Sequence, residues 1–435
     1  MEMTAKKIFT FVLLAYLTVI SFNGVVTVLA YSTTRLLLLY KDFFSAVCLV
    51  FMFFVCYAYR FKVSKQSILL ILAFMCFLLY AIFYMFYTLN IGRFDVFRVL
   101  VQFRVEFFTF SALLISAALV MLDTEGKKNV LDKIIKFYIF FCVINAIMAI
   151  VQSFSAGMIY AFAGYEPGPE FTSFGKSYGL SLKTTTGFFR AIGFLTGPFN
   201  LSEYLFFGMT LQGFVSKNRR KIFILTIYAA IICSTSKTAI IMSTIYFGYL
   251  LIRPLFGVRQ STFLVTILMF FLFVIFYISI TSNAIYDIFS SKDNTFAYNS
   301  IYLRMYFIQQ VLQDNSFSDL FGVGYGVNGN AVVGSNNDAA VPLDSIYIYI
   351  LSNYGYFGII MSIILILFIV LFIYSKCKSS FPHDVYLYWL ISLSLNYGYN
   401  NPMTNYPGYI FPIIITALFF SLGAKYKSLN NGGGI

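Results

Sequence analysis

The sequence predicts an all-α, polytopic integral membrane protein, and three observations predict it. Of 435 residues, 60% are hydrophobic and only 11% charged, whereas a soluble domain is about a quarter charged. Aromatic residues make up 20%, with 53 Phe and 34 Tyr, more than the single core of a soluble fold this long can hide. Apolar runs approaching the roughly 20 residues that span a bilayer recur from one end to the other. An ordinary cytosolic enzyme, a disordered chain and a small disulfide scaffold are excluded.

Taken in order, these runs predict about twelve transmembrane helices, at 8–30, 36–58, 68–89, 99–121, 134–155, 196–215, 222–234, 237–252, 262–282, 346–374, 384–399 and 407–424. Lys6 and Lys7 precede a first run that is too long for a signal peptide and lacks a small-residue cleavage site; it reads as the first span. The seventh and eighth runs are short and separated only by Ser234-Thr235-Ser236-Lys237-Thr238, so they are two crossings or one broken helix. The positive-inside rule favours two. With the N-terminus inside, the inner loops hold Lys6, Lys7, Arg60, Lys62, Lys65, Lys127, Lys128, Lys133, Lys136, Lys217, Arg219, Arg220, Lys221, Arg253, Arg259, Lys376, Lys378, Lys425 and Lys427, while the basic residues outside are fewer and scattered. This leaves one transmembrane domain, 1–435, with two long outer loops at 156–195 and 283–345. Long loops in compact proteins are usually functional.

The net charge of +13 is explained by these span ends. No basic patch is interleaved with exposed aromatics on a soluble module, so nucleic acid is not an expected partner. Five of the six cysteines fall inside apolar runs and no CxxC pair exists, which argues against a disulfide framework or a thiolate metal site. The single histidine, His383, lies in an inner loop, so no His/Cys/carboxylate metal site is expected. There is no P-loop and no G-x-S-x-G elbow.

Several polar residues stand out against this background. Arg190 opens a stretch to Asn200 where the first long outer loop re-enters the membrane, and Ser202 and Glu203 follow within an apolar helix. Ionisable groups at membrane depth are costly and mark function by default. An Arg at the outer interface can grip a phosphate bidentately; the alternative is snorkelling to lipid headgroups. Lys237 lies in the hydroxyl-rich break, as an anion ligand or an interfacial anchor. Arg304 sits on an amphipathic pattern, Ile301–Ile308, followed by the glycine-rich turn Gly322-Val323-Gly324-Tyr325-Gly326. That turn follows no strand and opens no βαβ unit, so it is not a dinucleotide fingerprint; it is expected to fold the loop back over the spans. Asp344 precedes Ser345-Ile346-Tyr347 at the next span, as a helix N-cap, a general base at the outer surface, or both. Arg104 and Glu106 lie two residues apart in the fourth span and so need separate partners.

Three stretches together resemble the bacterial O-antigen polymerase and ligase superfamily of membrane glycosyltransferases. They are Arg190–Asn200 with its Gly-Phe-x-x-x-Pro-x-Asn core, Ser234–Ala239 with Lys237 where the family carries Arg, and Arg304 followed by Leu320–Gly324, Leu343–Tyr347 and Asn353–Gly358. The likeness covers roughly 190–360. Ligases of the superfamily carry a His-Asn pair where this chain has Asp344-Ser345, which argues for a polymerase. The resemblance implies a GT-C-like enzyme of the bacterial inner membrane, in lipopolysaccharide or other surface-polysaccharide biosynthesis, whose long loops are periplasmic. It implies an oligosaccharide repeat unit on undecaprenyl diphosphate as substrate, with no nucleotide sugar, cofactor or metal, membrane lipid around it, and a chain-length-regulating membrane protein as partner. The expected catalytic residues are Asp344 as base and Arg304 and Arg190 on the diphosphate. Lys237, Asn200, Glu203 and Tyr347 are expected to bind substrate. Tyr325, Tyr347, Tyr349 and Tyr354 are placed on sugar rings or, for most of them, in an aromatic interface belt.

Two other readings stay open. A ligase is the nearest within the enzyme class. A lipid-linked oligosaccharide flippase shares the many spans, but it would line a central cavity with charge and tend to show two similar halves, which this sequence does not. A purely structural scaffold would not explain Arg, Asn and Glu entering an apolar helix at 190–203.

Overall fold

The computed structural model describes residues 2–26, 39–58, 64–91, 96–123, 129–155, 165–166, 172–173, 176–177, 189–281, 305–311, 320–324, 328, 345–376, 380–396 and 409–422. The chain is a helical membrane protein. Among the described residues there are twelve long helices: α1 (Glu2–Ser21), α2 (Tyr40–Ala58), α3 (Lys65–Ile91), α4 (Val96–Asp123), α5 (Asn129–Phe154), α6 (Pro198–Thr210), α7 (Lys217–Cys233), α8 (Lys237–Phe256), α9 (Val258–Thr281), α10 (Ile346–Lys376), α11 (Ser380–Ile391) and α12 (Ile410–Leu422). Each falls on one expected apolar run, in order. Six contain stretches long and apolar enough to cross a bilayer: Lys65–Asn90, Val99–Leu122, Leu131–Phe154, Lys237–Phe256, Val258–Ile275 and Ile346–Ile364. Three two-residue strands, Tyr165–Glu166, Thr172–Ser173 and Lys176–Ser177, pair antiparallel within the first long loop.

These helices bury little of their outer faces. Phe11, Phe53, Phe54, Leu79, Phe86, Phe270 and Phe271 are all more than half exposed, a surface that water would not tolerate on a monomer and that lipid covers. Inward, one continuous apolar core draws on most of the helices. A second, smaller one gathers Ala81, Tyr84, Val99, Ile308, Val311, Ile348, Tyr349 and Tyr354. Small residues allow close approach: Ala112, Ser116, Ala117 and Ala118 of α4 are fully buried, and Ser67 of α3 donates to the Ala117 carbonyl at 3.2 Å.

The choice between two helices and one broken helix at 234–238 falls to two. Thr235 adopts φ 53° and the chain reverses. The Tyr228 and Thr244 hydroxyls meet at 2.9 Å, and Tyr228 stacks on Phe247, so α7 and α8 form an antiparallel hairpin. At the far end of that hairpin Arg253, in the last turn of α8, pairs with buried Asp384 of α11 at 3.4 Å. Arg104 and Glu106 do go to different partners: Arg104 pairs with Asp42 at 3.6 Å, whereas Glu106 turns into the bundle.

Four details differ from expectation. The first helix begins at Glu2, so Lys6 and Lys7 lie on it rather than before it. The amphipathic helix of the second long loop, described over 305–311 with Met305, Ile308 and Val311 buried, runs three residues past the end of the 301–308 pattern. Helix α10 starts at Ile346 and the Ser345 carbonyl accepts the Tyr349 N–H at 2.9 Å; the cap position is thus Ser345, one residue after Asp344. Helix α11 ends in a π-helical turn, Ser392–Asn396.

Candidate functional site

The connection from α5 to α6 enters the bundle as an irregular segment, 189–197, at the mouth of α6. Backbone polar groups at that depth must find partners inside the protein, and two side chains of α5 supply them. Gln152 Oε1 accepts the N–H groups of Ile192 (3.2 Å) and Gly193 (2.8 Å), while its Nε2 donates to the Gly193 carbonyl at 2.8 Å. Asn145 Oδ1 accepts the Phe194 N–H at 2.9 Å. Both residues are buried. Gly193 has φ +60°, and a Cβ there would lie 2.8 Å from Asn145 Oδ1, so only glycine fits this turn. The Gly24 N–H closes the clamp from the α1 side, donating to Phe194 O at 2.7 Å.

This clamp fixes Arg190. The neighbouring Ala191 N–H donates to Cys233 O at 3.0 Å, laying the segment against the C-terminal end of α7, where a cation is favoured by the helix dipole. Half-buried Arg190 donates through Nε to Thr235 Oγ1 at 3.1 Å, and its guanidinium lies 5.3 Å from the centre of the Phe199 ring. Thr235 is the only non-glycine residue with positive φ among the described residues. A β-branched residue held there is strained, and such strain concentrates at functional positions. Exposed Lys237 opens α8 two residues later. Two motifs far apart in sequence thus meet as one basic, hydroxyl-rich corner.

Pro198 sits in the first turn of α6, at which position its missing N–H costs nothing. Asn200 donates to Thr196 Oγ1 at 2.6 Å. Glu203 is buried and accepts a hydrogen bond from the Tyr409 hydroxyl at the start of α12. Tyr409 in turn packs with Ile346, Tyr347, Trp389, Leu393 and Ile413, which brings the N-terminal end of α10 beside the Glu203 pair. Arg190, Phe199, Asn200, Glu203, Tyr409 and Tyr347 therefore follow one another across a single neighbourhood. The Tyr347 hydroxyl is turned inward, donating to Leu393 O in the π-helical turn at 2.5 Å, with its ring against Phe273. Asp344 and Arg304 lie outside the described residues, immediately before Ser345 and Met305.

The second long loop also docks by its motif. Helix α10 breaks at Gly355 (φ 64°, ψ −161°), a combination open essentially to glycine alone. Carbonyls released by the break are taken up: Ser352 O accepts Val323 N–H (2.8 Å), Asn353 O accepts Gly324 N–H (3.2 Å) and Tyr354 O accepts the Tyr84 hydroxyl (3.0 Å). Phe357 N–H returns a bond to Leu320 O at 3.1 Å. Asn353 and Ser352 hold Asn328 through its N–H, carbonyl and side-chain amide. Within the glycine-rich turn, the described residues 320–324 lie on the broken turn of α10; Tyr325 and Gly326 lie outside the described residues.

Below it lies Glu106, only 2% exposed. Its Oε1 accepts from Gln102 Nε2 (2.6 Å), the Tyr354 hydroxyl (2.7 Å) and the Tyr349 hydroxyl (3.2 Å). Tyr349 and Tyr354 are therefore core residues bound to a carboxylate, neither sugar platforms nor an interface belt; Tyr325 lies outside the described residues. The sequence reading missed Gln152, Asn145 and Tyr409. Asn145 and Gln152 carried a signal: seven residues apart in an otherwise apolar span, they share a helix face. Tyr409 carried none, being one tyrosine among many. No family model, curated protein or solved structure matches this chain.

Proposed function

We propose that this chain is a surface-polysaccharide polymerase of the O-antigen type in a bacterial inner membrane, with about twelve transmembrane helices, both ends of the sequence on the cytoplasmic side, and the site on the periplasmic face. The observation that carries this reading is the pairing of its motif segments. The Arg190 segment lies on the 233–235 turn, and the 320–324 segment lies on the 352–357 break. An outer-surface site assembled from those motifs requires such pairing; a scaffold has no need of it.

In this reading the donor is a growing chain on undecaprenyl diphosphate and the acceptor is the non-reducing-end hydroxyl of a new lipid-linked unit. The donor's anomeric carbon–oxygen bond to the diphosphate breaks and a bond from that carbon to the acceptor oxygen forms. Asp344 takes the hydroxyl proton. The diphosphate leaves as an anion, and Arg190 and Arg304, with Lys237 at the start of α8, stabilise its developing charge in a site sheltered from water. Asn200 and the Glu203–Tyr409 pair border the acceptor. Tyr347 shapes that border through its ring and its tie to Leu393.

Surface glycolipid from the host lacking this gene, run on a gel with and without the gene restored, tests the reading. A single repeat unit on the core that is restored to a ladder supports the polymerase. Bare core with long polymer kept on the carrier lipid means a ligase, and bare core with single units trapped in the inner leaflet means a flippase. Arg304→Ala is expected to cut the transfer rate by about 10²-fold or more at a normal protein level; an unchanged ladder removes Arg304 from the site.

A further inference from the structure

Glu106 is a buried carboxylate in an apolar helix, a costly arrangement, and the reaction above does not use it. Nothing in the packing of α4 against α3 asks for a charge there. What surrounds it is specific: three donors converge on one oxygen, two of them hydroxyls of α10. Those two tyrosines flank the last turn before the Gly355 break. The elements of the second long loop rest on the same turn. Ile308 and Val311 of the 305–311 helix pack in the apolar cluster of Tyr349 and Tyr354, and Val323 and Gly324 bond to Ser352 and Asn353. Arg304 is the residue before Met305 in the sequence.

We propose that Glu106 is a positioning residue: by holding the Tyr349 and Tyr354 hydroxyls it sets the broken turn of α10, and through that turn it places the outer-loop segments 305–311 and 320–324, with Asn328. An acceptor-only group suits this role, since every donor offered to it can be satisfied at once. An apolar replacement leaves three buried donors without their common acceptor, so the turn rearranges and the loop loses its seat. The link to catalysis rests on the polymerase reading; the positioning does not.

The test is hydrogen exchange on the intact protein in lipid nanodiscs, comparing wild type, Glu106→Leu and Glu106→Gln. In Glu106→Leu, exchange in the peptides covering 305–311 and 320–328 is expected to rise several-fold while the clamped 190–197 segment stays at the wild-type rate. Glu106→Gln keeps an acceptor oxygen and is expected to restore protection and, in the host, most of the ladder that Glu106→Leu loses. If Glu106→Leu does not accumulate, the double variant Tyr349→Phe/Tyr354→Phe removes the two hydroxyl bonds that tie Glu106 to α10, leaves the Gln102 bond, and carries the same expectation for the loop. Unchanged exchange over 305–328, or an equal rise over 190–197, overturns the proposal, the second outcome marking a general loosening. A host ladder that never depended on this chain removes the polymerase reading and leaves the exchange comparison intact.

Discussion

Gln152 is the residue on which the re-entering loop depends most. One side chain satisfies two N–H groups and one carbonyl at a depth where water does not compensate. Gln152→Leu is expected to destabilise the protein by about 1–3 kcal/mol for each buried group left unpaired, read as a lowered thermal midpoint in detergent. Gln152→Glu keeps an acceptor for both N–H groups, but it buries a charge and sets a second carboxylate oxygen against Gly193 O, so a loss at least as large is expected. A Gln152→Leu protein as stable as wild type would show that the loop finds other partners. Arg190 tests function at the same scale. Arg190→Lys keeps the charge but gives up the Nε–Thr235 bond and the guanidinium's contact with the Phe199 ring, so, on the proposed polymerase reading, ladder synthesis is expected to fall with the lysine and fall further with Arg190→Ala. Equal activity of lysine and arginine would reduce the residue to a point charge.

Two elements are defined by where they break. In α10 the break at Gly355 exposes carbonyls that the second long loop captures. Gly355→Ala forces a side chain into φ 64°, ψ −161° and is expected to cost about 1–3 kcal/mol, with raised exchange of Val323 and Gly324. If α10 tolerates alanine without change, the break is not held as described. Helices α7 and α8 are the second case. The hydroxyl-rich run marked the break, but hydropathy alone left the reversal open, because a continuous kinked helix has the same composition. The contacts between Tyr228, Thr244 and Phe247 decide it. At the other end of the hairpin, Arg253→Met would leave Asp384 buried without its cation, an expected loss of about 3–5 kcal/mol measurable as thermal stability.

For the whole molecule, the distribution of Lys and Arg and the exposed aromatic faces describe one bundle set in lipid. The proposed topology places 216 and 257 on the cytoplasmic side and 235 on the periplasmic side. Alkaline phosphatase fused after these positions is expected to be active only at 235; activity at 257 would invert every later span. How much of this was legible from sequence depended on the physical signal. Hydrophobic length gave all twelve described helices, because lipid imposes the same requirement on each run independently of its neighbours. Gly193 and Pro198 lie in the stretch that the sequence marked as the entry to α6, because backbone limits are local, whereas the break at Gly355 lies inside a run, 346–374, that the sequence reads as one unbroken span. The partners were not legible. That Gln152 holds 192–194, that Tyr409 meets Glu203, and that Glu106 faces Tyr349 and Tyr354 depends on which helix faces are brought together. Among 34 tyrosines and 53 phenylalanines, pattern alone does not distinguish a residue that faces lipid from one that meets a carboxylate. Sequence by itself determined a membrane bundle and which stretches of the chain become its helices. Tertiary packing decided which polar groups meet, because a buried hydrogen bond needs two partners and their distance is set only when the helices assemble.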